Sequence, residues 1–404
     1  MNLLNRFLRY VKIDTQSDDK SKTSPSTAKQ LNLARLLVDE FHALGLKDAH
    51  LDAYGIVYAS LLSNDGTKHP VIGFLAHLDT ALEMPGGPVE PRVITDYNGD
   101  TIVLNEAMDI ILAKSEFPHI EGLKGKTLVV TDGTTLLGAD DKAGIAIIMD
   151  MLEQLKNHPD IKHGPIKIAF TPDEEIGRGT EHFDVTRFGA DYAYTIDGGA
   201  IDYINYENFN AASATIVFHG KAIHPGYAKN RMVNAQLLAM EFHDRLPGQM
   251  QPQLTEGYEG FHHLVGSKGE VETAEAHYII RNHDEKKLEW HIGQFRQVAN
   301  DMNEKCGYHA VDVAIMPGYR NMRRHIEGKP EVLHRAYDAF SKLGMQVKSE
   351  PIRGGTDGAN LTYKGLPCPN LGTGGYHAHG KYELAVVEEM MAMSRILVEI
   401  VKNN

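Results

Sequence analysis

The sequence predicts an α/β domain that carries a smaller, inserted α+β domain. Three observations lead there. From residue 71 to 199, short apolar runs repeatedly lead into acidic loops and then helical segments, the order of a sheet with its polar groups at the carboxyl ends of the strands. From about 209 to 320 the order becomes strand, helix, strand, helix, strand, a self-sufficient unit of about one hundred residues. From about 321 helix–strand units return. At 404 residues the chain is too long for one compact core, so residues 1–208 and 321–404 are assigned to one domain and 209–320 to the other.

In chain order, residues 2–14 place Leu3, Leu4, Phe7, Leu8 and Val11 on one helical face, which the polar run 15–27 ends. A second helix is predicted over about 26–44, with Gly45 as its stop. Residues 48–62 alternate as a strand pair turning near Gly55. A buried strand over 71–76 follows Pro70. The Pro/Gly-rich stretch 85–91 is a loop, and 92–135 reads as an irregular insertion with short strands. Residues 145–155 are apolar on most sides and predict a buried helix; 166–170 and 192–196 predict buried strands. In the inserted unit the expected strands are 211–218, 274–281 and 308–316, with helices over 232–242 and 286–303. Beyond it come a helix at 330–343, an extended segment at 346–351, a turn at 353–358 and a terminal helix from about 383. No internal repeat or low-complexity tract interrupts the chain.

Composition excludes several classes of function. Acidic residues outnumber basic ones 54 to 41, a balance that argues against nucleic-acid and anionic-membrane partners. No apolar run approaches the ~18–20 residues of a membrane span. The N-terminal stretch is amphipathic, carries Arg6 and Arg9 and lacks a small-residue cleavage site, so a cytoplasmic protein is expected. Cys306 and Cys368 have no paired spacing, which excludes a disulfide framework and a thiolate zinc site.

The chemistry gathers just past the apolar strands. His77 and Asp79 close the first; two apart in extended backbone, they face one pocket and can hydrogen-bond, as a metal-ligating histidine and its orienting carboxylate do. Asp140-Asp141-Lys142 precedes the buried helix, Glu174-Glu175 follows one strand, and Asp197-Gly198-Gly199 follows another. A late histidine, His377 or His379, completes the set. Each acid alone is equally a solvated loop residue or a helix cap; Asp357, after Gly-Gly-Thr, is expected to be a cap. Crowded together, however, these carboxylates would repel one another unless a cation joined them. Ligation by nitrogen and oxygen without cysteine suits zinc, manganese or cobalt, and a bridging carboxylate suggests two ions about 3.5–4 Å apart. Competing chemistries lack their residues: there is no Gly-x-Ser-x-Gly elbow, no His-Glu-x-x-His helix, and Gly122–Thr127 misses the glycine spacing of a phosphate loop.

These motifs, in this order and over essentially all of the chain, resemble the co-catalytic dizinc metallopeptidases, the family of glutamate carboxypeptidase and succinyl-diaminopimelate desuccinylase. The fuller stretches Leu-Leu-Gly-Ala-Asp-Asp-Lys-Ala-Gly, Thr-Pro-Asp-Glu-Glu-Ile-Gly and Arg-Gly-Gly-Thr-Asp-Gly match its peptidase T branch, the tripeptide aminopeptidases. The resemblance implies a zinc-peptidase-type catalytic domain, a mixed sheet flanked by helices, with a ferredoxin-like lid. It implies two Zn2+ per chain, with Mn2+ or Co2+ as substitutes. His77 and Asp197 would bind one ion, Glu175 and His379 the other, and Asp140 would bridge them across a cis Asp140–Asp141 peptide bond. His379 is chosen over His377 because the family ligand directly precedes Gly-Lys. Asp79 would orient His77, and Glu174 would take a proton from the attacking water and deliver it to the leaving amine.

Substrate contacts are expected at His224, Asn234 and Arg281, which match lid positions of the family, and at Arg353, beside Gly354-Gly355, where a guanidinium can fork a carboxylate. The resulting expectation is an enzyme that removes the N-terminal residue from short peptides, tripeptides above all. Pairing of lid sheets edge to edge, as in related enzymes, would make a homodimer. Two rivals stand beside it: a dipeptidase, carboxypeptidase or deacylase on the same centre, because metal ligands set reaction type and not side-chain preference, and a non-catalytic peptide-binding protein.

Overall fold

A computed structural model describes residues 1–402. They divide into two units: Met1–Tyr206 with Arg323–Glu350 and the segment from Thr356 onward, and Glu207–Met322 with Pro351–Gly355. The sequence assigns 351–355 to the larger domain. In the structure this segment is tied to the smaller unit, where the Ile352 N–H donates to the Glu207 carbonyl at 2.8 Å.

The larger unit is built on a seven-stranded mixed sheet. Its four inner strands, Ile166–Thr171, Ile72–His77, Tyr192–Ile196 and Asn370–Leu371, run parallel in that spatial order. Val57–Leu61 and then His50–Leu51 extend one edge antiparallel, and Ile204–Asn205 closes the other. Every residue of Ile72–His77 is buried, which explains why that strand reads as a continuous apolar run and not as an alternating one. Helix Ala139–Asn157 lies against it, with helices Leu3–Val11 and Val387–Val401 packed on that helix. Parallel strands present their carboxyl ends along one side of the sheet. His77 therefore lies beside the segments that continue from Thr171, Ile196 and Leu371.

Close packing of the helix at this rim depends on Gly144. A Cβ on Gly144, in the first turns of helix Ala139–Asn157, would fall 1.9 Å from the Ile196 carbonyl oxygen and 2.5 Å from Asp141 Oδ1. The helix can approach the strand just ahead of Asp197 only without a side chain there. Gly144→Ala is expected to lower stability by about 1–3 kcal/mol through overpacking, read as a lower urea midpoint.

Several local expectations are corrected. The second helix spans Gln30–Ala43 and starts later than predicted, because Ser26 donates from its backbone and hydroxyl to the Asp173 carboxylate and is not a helix cap. The 92–135 insertion carries the short strands expected of it, and two of them, Arg92–Ile94 and Leu128–Val130, join Leu384–Val386 and Gly375–Tyr376 in a four-stranded sheet. The strand Leu384–Val386 thus occupies the start expected for the terminal helix, which spans Val387–Val401. Segment 346–351 forms no strand, only an isolated bridge between Lys348 and Tyr203. Among the described residues no helix is long and apolar enough to cross a membrane.

The smaller unit is a four-stranded antiparallel sheet with two helices, Ala235–Arg245 and Glu285–Cys306. Its spatial order, Phe261–Gly269, Thr273–Asn282, Asn210–His219, Val311–Pro317, with the chain order strand, helix, strand, strand, helix, strand, is ferredoxin-like. Phe218, Phe242, Tyr278, Ile280 and Phe295 fill its core. The edge strand Phe261–Gly269 escaped the sequence reading because it is mostly exposed and its His263, Ser267 and Lys268 break any apolar alternation.

Candidate metal centre

Asp79 organises the first half of the site. Buried just past the central strand, its two carboxylate oxygens accept the N–H groups of Glu174 and Glu175 at 3.0 and 3.1 Å. Its Oδ1 lies 3.4 Å from His77 Nδ1, and its carbonyl 3.1 Å from the same nitrogen. One side chain thus fixes the His77 ring and the turn that presents both glutamates. The turn is held from behind by Asp173, a left-handed residue (φ 60°) whose carboxylate accepts from Ser26 and from Gln30 Nε2. Asp173 lies inside a motif that the sequence reading singled out, but its anchoring role has no local signal, since its partners lie far away in the chain.

Asp140 comes from the opposite side, on the loop that enters helix Ala139–Asn157. The Asp140–Asp141 peptide bond is cis. Glu383, buried, clamps this loop: Oε2 accepts the Leu137 and Gly138 N–H groups at 2.8 Å each, and Oε1 accepts that of Asp140 at 3.0 Å. Sequence reasoning did not select Glu383. Loss of this clamp in Glu383→Ala is expected to weaken metal binding by roughly 10–100-fold, the usual cost of losing an outer-shell partner, measurable by equilibrium dialysis of the folded variant. Asp141 faces away: Oδ2 accepts the His77 N–H and Oδ1 the Gly144 N–H, both at 3.2 Å. Asp357, expected as a cap, is instead the first residue of helix Asp357–Tyr363. Thr356 caps that helix by accepting the Gly358 N–H, which leaves Asp357 to accept the Thr171 hydroxyl at 2.8 Å.

The side chains converge in two trios, His77, Asp140 and Asp197, and Asp140, Glu175 and His379; within each trio the candidate ligand atoms all lie within 4.8 Å of one another. Asp140 belongs to both. Its Oδ1 is 2.9 Å from His77 Nε2 and its Oδ2 is 3.6 Å from His379 Nε2, which also lies 2.9 Å from Glu175 Oε2. Burial pushes Asp197 up to about 7, helped by the charge on Asp140, and raises Glu174 well above the ordinary carboxylate range. Glu175 is also raised by burial, and its Oε1 is buried without a hydrogen-bond partner. Burial acts against a charged His77, yet Asp140 and Asp79 hold it well above the usual histidine range; Asp140 and Glu175 push His379 up to about 11. These groups fit a cation-binding centre. Three carboxylates and two imidazoles offset most of the charge of two divalent ions, the donor set contains no sulfur, and a buried orphan oxygen points to a missing electropositive partner.

His377 belongs to neither trio. Its Nε2 lies 3.1 Å from His119 Nε2, and its ring meets Phe117 edge-on at 4.5 Å. It lines a cavity of about 280 Å³ together with Asp140, Asp197, Tyr376 and Glu383. The four expected substrate residues all lie in the smaller unit. His224 is exposed and accepts the Gly226 N–H through Nδ1; Asn234 caps helix Ala235–Arg245 by accepting the Gln236 N–H. Arg281 donates from Nη1 to the Ala212 carbonyl, with its guanidinium over the Tyr319 ring. Arg353 does not present an open fork: Nη1 donates to the Gly257 and Glu259 carbonyls and Nη2 to Thr255, while Phe209 and Phe261 lie beneath it.

Comparison with known proteins bears on the whole chain. The family model of a peptidase dimerisation domain matches residues 206–305. Peptidase T of Geobacillus sp. (strain WCH70) is 49% identical over 400 residues, covering 99% of this chain and 98% of its own length; Peptidase T of Listeria monocytogenes serotype 4a (strain HCC23) matches at the same identity and coverage. Among solved structures, a tripeptidase from Staphylococcus aureus superposes with a TM-score of 0.78 at 23% identity, covering 99% of this chain and 97% of the other. The YXEP protein of Bacillus subtilis, a dinuclear metal-binding peptidase of the M20 family, superposes with a TM-score of 0.64 at 15% identity and the same coverage. The structural likenesses establish the fold. With identity near one half over almost the full length of both chains, this chain belongs to the peptidase T family.

Proposed function

We propose that the protein is a dizinc aminopeptidase that releases the N-terminal residue from short peptides, chiefly tripeptides. The observation that carries this reading is Asp140, one carboxylate shared by two trios of nitrogen and oxygen donors at the carboxyl ends of parallel strands. His77 and Asp197 would hold one zinc ion, Glu175 and His379 the other, and Asp140 both, with Mn2+ or Co2+ as substitutes. Bound there, such a pair supplies Lewis-acid activation of water and charge stabilisation of the developing oxyanion.

The chain's own groups handle the protons. Glu174, whose carboxyl burial raises well above the ordinary carboxylate range, is thereby a stronger base than a solvated glutamate. It takes a proton from the water that attacks the scissile carbonyl carbon and returns it to the amine nitrogen as the carbon–nitrogen bond breaks. Asp79 keeps His77 and the Glu174–Glu175 turn in register through that cycle. On the smaller unit, His224, Asn234, Arg281 and Arg353 are proposed substrate contacts. For Arg353 this role requires that substrate displace the 255–259 carbonyls from its guanidinium. Action in the cytoplasm and as a homodimer completes the proposal; the peptidase dimerisation match supports the latter.

The test is a series of di-, tri- and tetrapeptides with free and N-acetylated termini. Fastest release from the free tripeptide is expected. Equal turnover of acetylated peptides would move the substrate to a carboxypeptidase or deacylase.

A further inference from the structure

The His119–His377 pair is unused by the proposed reaction, and its geometry is specific. The two Nε2 atoms stand 3.1 Å apart, and His377 lines the cavity that holds Asp140 and Asp197. A contact between two imidazole nitrogens needs one N–H and one lone pair, so at least one ring offers a donor nitrogen. The spacing suits more than a hydrogen bond. With Zn–N bonds of about 2.0–2.1 Å, two nitrogens 3.1 Å apart subtend an angle of about 100° at a shared ion, close to tetrahedral.

The pair is also braced. His119 rides on the short helix Pro118–Leu123, pinned by buried Ile120 and Leu123, and stacks on Tyr376 with ring centroids 5.5 Å apart. Phe117 meets His377 at 4.5 Å. Both rings are thus held near each other by aromatic neighbours, while their edges stay open to solvent.

We propose that His119 and His377 form a third, weaker site for a divalent transition-metal ion, separate from the two trios, and that an ion bound there obstructs the cavity. Solvent would complete its coordination. His377 is thereby explained as part of a clip with the 92–135 insertion, not as a competitor of His379. The obstruction rests on the cavity being the peptide site; the metal site itself does not.

The experiment uses the zinc-loaded protein and its His119→Phe variant, in which a ring remains against Tyr376 but both donor nitrogens are gone. Bound zinc and tripeptide hydrolysis are measured together as free zinc is raised. The wild type is expected to take up a third equivalent as its rate falls. In the variant that equivalent should weaken by at least about tenfold, the inhibition should shift by the same factor, and the rate at low zinc should stay unchanged. An identical third equivalent and identical inhibition in both proteins would overturn the proposal. So would a raised KM in the variant with zinc binding unaltered, which would make the pair a substrate contact. Absence of hydrolysis in both proteins would count against the aminopeptidase reading, while zinc binding alone would still decide the third site.

Discussion

Glu174→Gln is expected to lower kcat on a tripeptide by about 10²–10⁴-fold while leaving metal content unchanged. The substitution keeps the size of the side chain and removes its ability to accept a proton. The turn survives, because it is held through the backbone: the N–H groups of Glu174 and Glu175 donate to Asp79 whatever the side chain at 174. Glu174 belongs to neither ligand trio, so its loss is expected to spare binding. A variant that loses its metals, or that retains most of its turnover, would contradict the assignment of Glu174 as the base. A non-catalytic peptide binder would show no such split, since its affinity should barely respond.

The second large effect falls on Asp140. Each of the other candidate ligands serves one trio, whereas Asp140 serves both and lies between His77 and His379. Asp140→Ala is therefore expected to weaken both metals together, by more than the roughly 10–100-fold typical of outer-shell changes, and to bring hydrolysis down with them. Substituting Asp197 or His379 should instead affect one ion first. Metal stoichiometry at fixed free zinc separates the patterns. Retention of one tightly bound ion in Asp140→Ala would mean that this carboxylate does not bridge.

The legible parts of the site were those that the sheet itself places. His77, Asp140, Glu174, Glu175 and Asp197 each follow an apolar strand or precede a buried helix, so one local rule, polar residues at strand carboxyl ends, collects them. Glu383 obeys no such rule. Its function is to accept three backbone N–H groups from a loop as far as 246 residues away, and nothing in its own neighbourhood announces that. The same holds for Asp173, whose partners Ser26 and Gln30 sit in a segment whose pattern predicts a continuous helix. The choice between His377 and His379 came from resemblance, since two histidines two residues apart look alike in sequence. The structure separates them by partner: Glu175 and Asp140 for one, His119 for the other. In the smaller unit, three strands and two helices are readable, but the polar edge strand Phe261–Gly269 is not. For Arg353, engagement by the 255–259 carbonyls depends on a contact across about one hundred residues of chain that no local pattern encodes.

The most direct test of the dinuclear reading is metal content and tripeptide hydrolysis measured on the same folded sample, before chelation, after it, and after zinc is returned. The account predicts close to two ions per chain, hydrolysis that disappears as they are removed, and recovery when they are restored. Undiminished hydrolysis by folded protein stripped of both ions would contradict it.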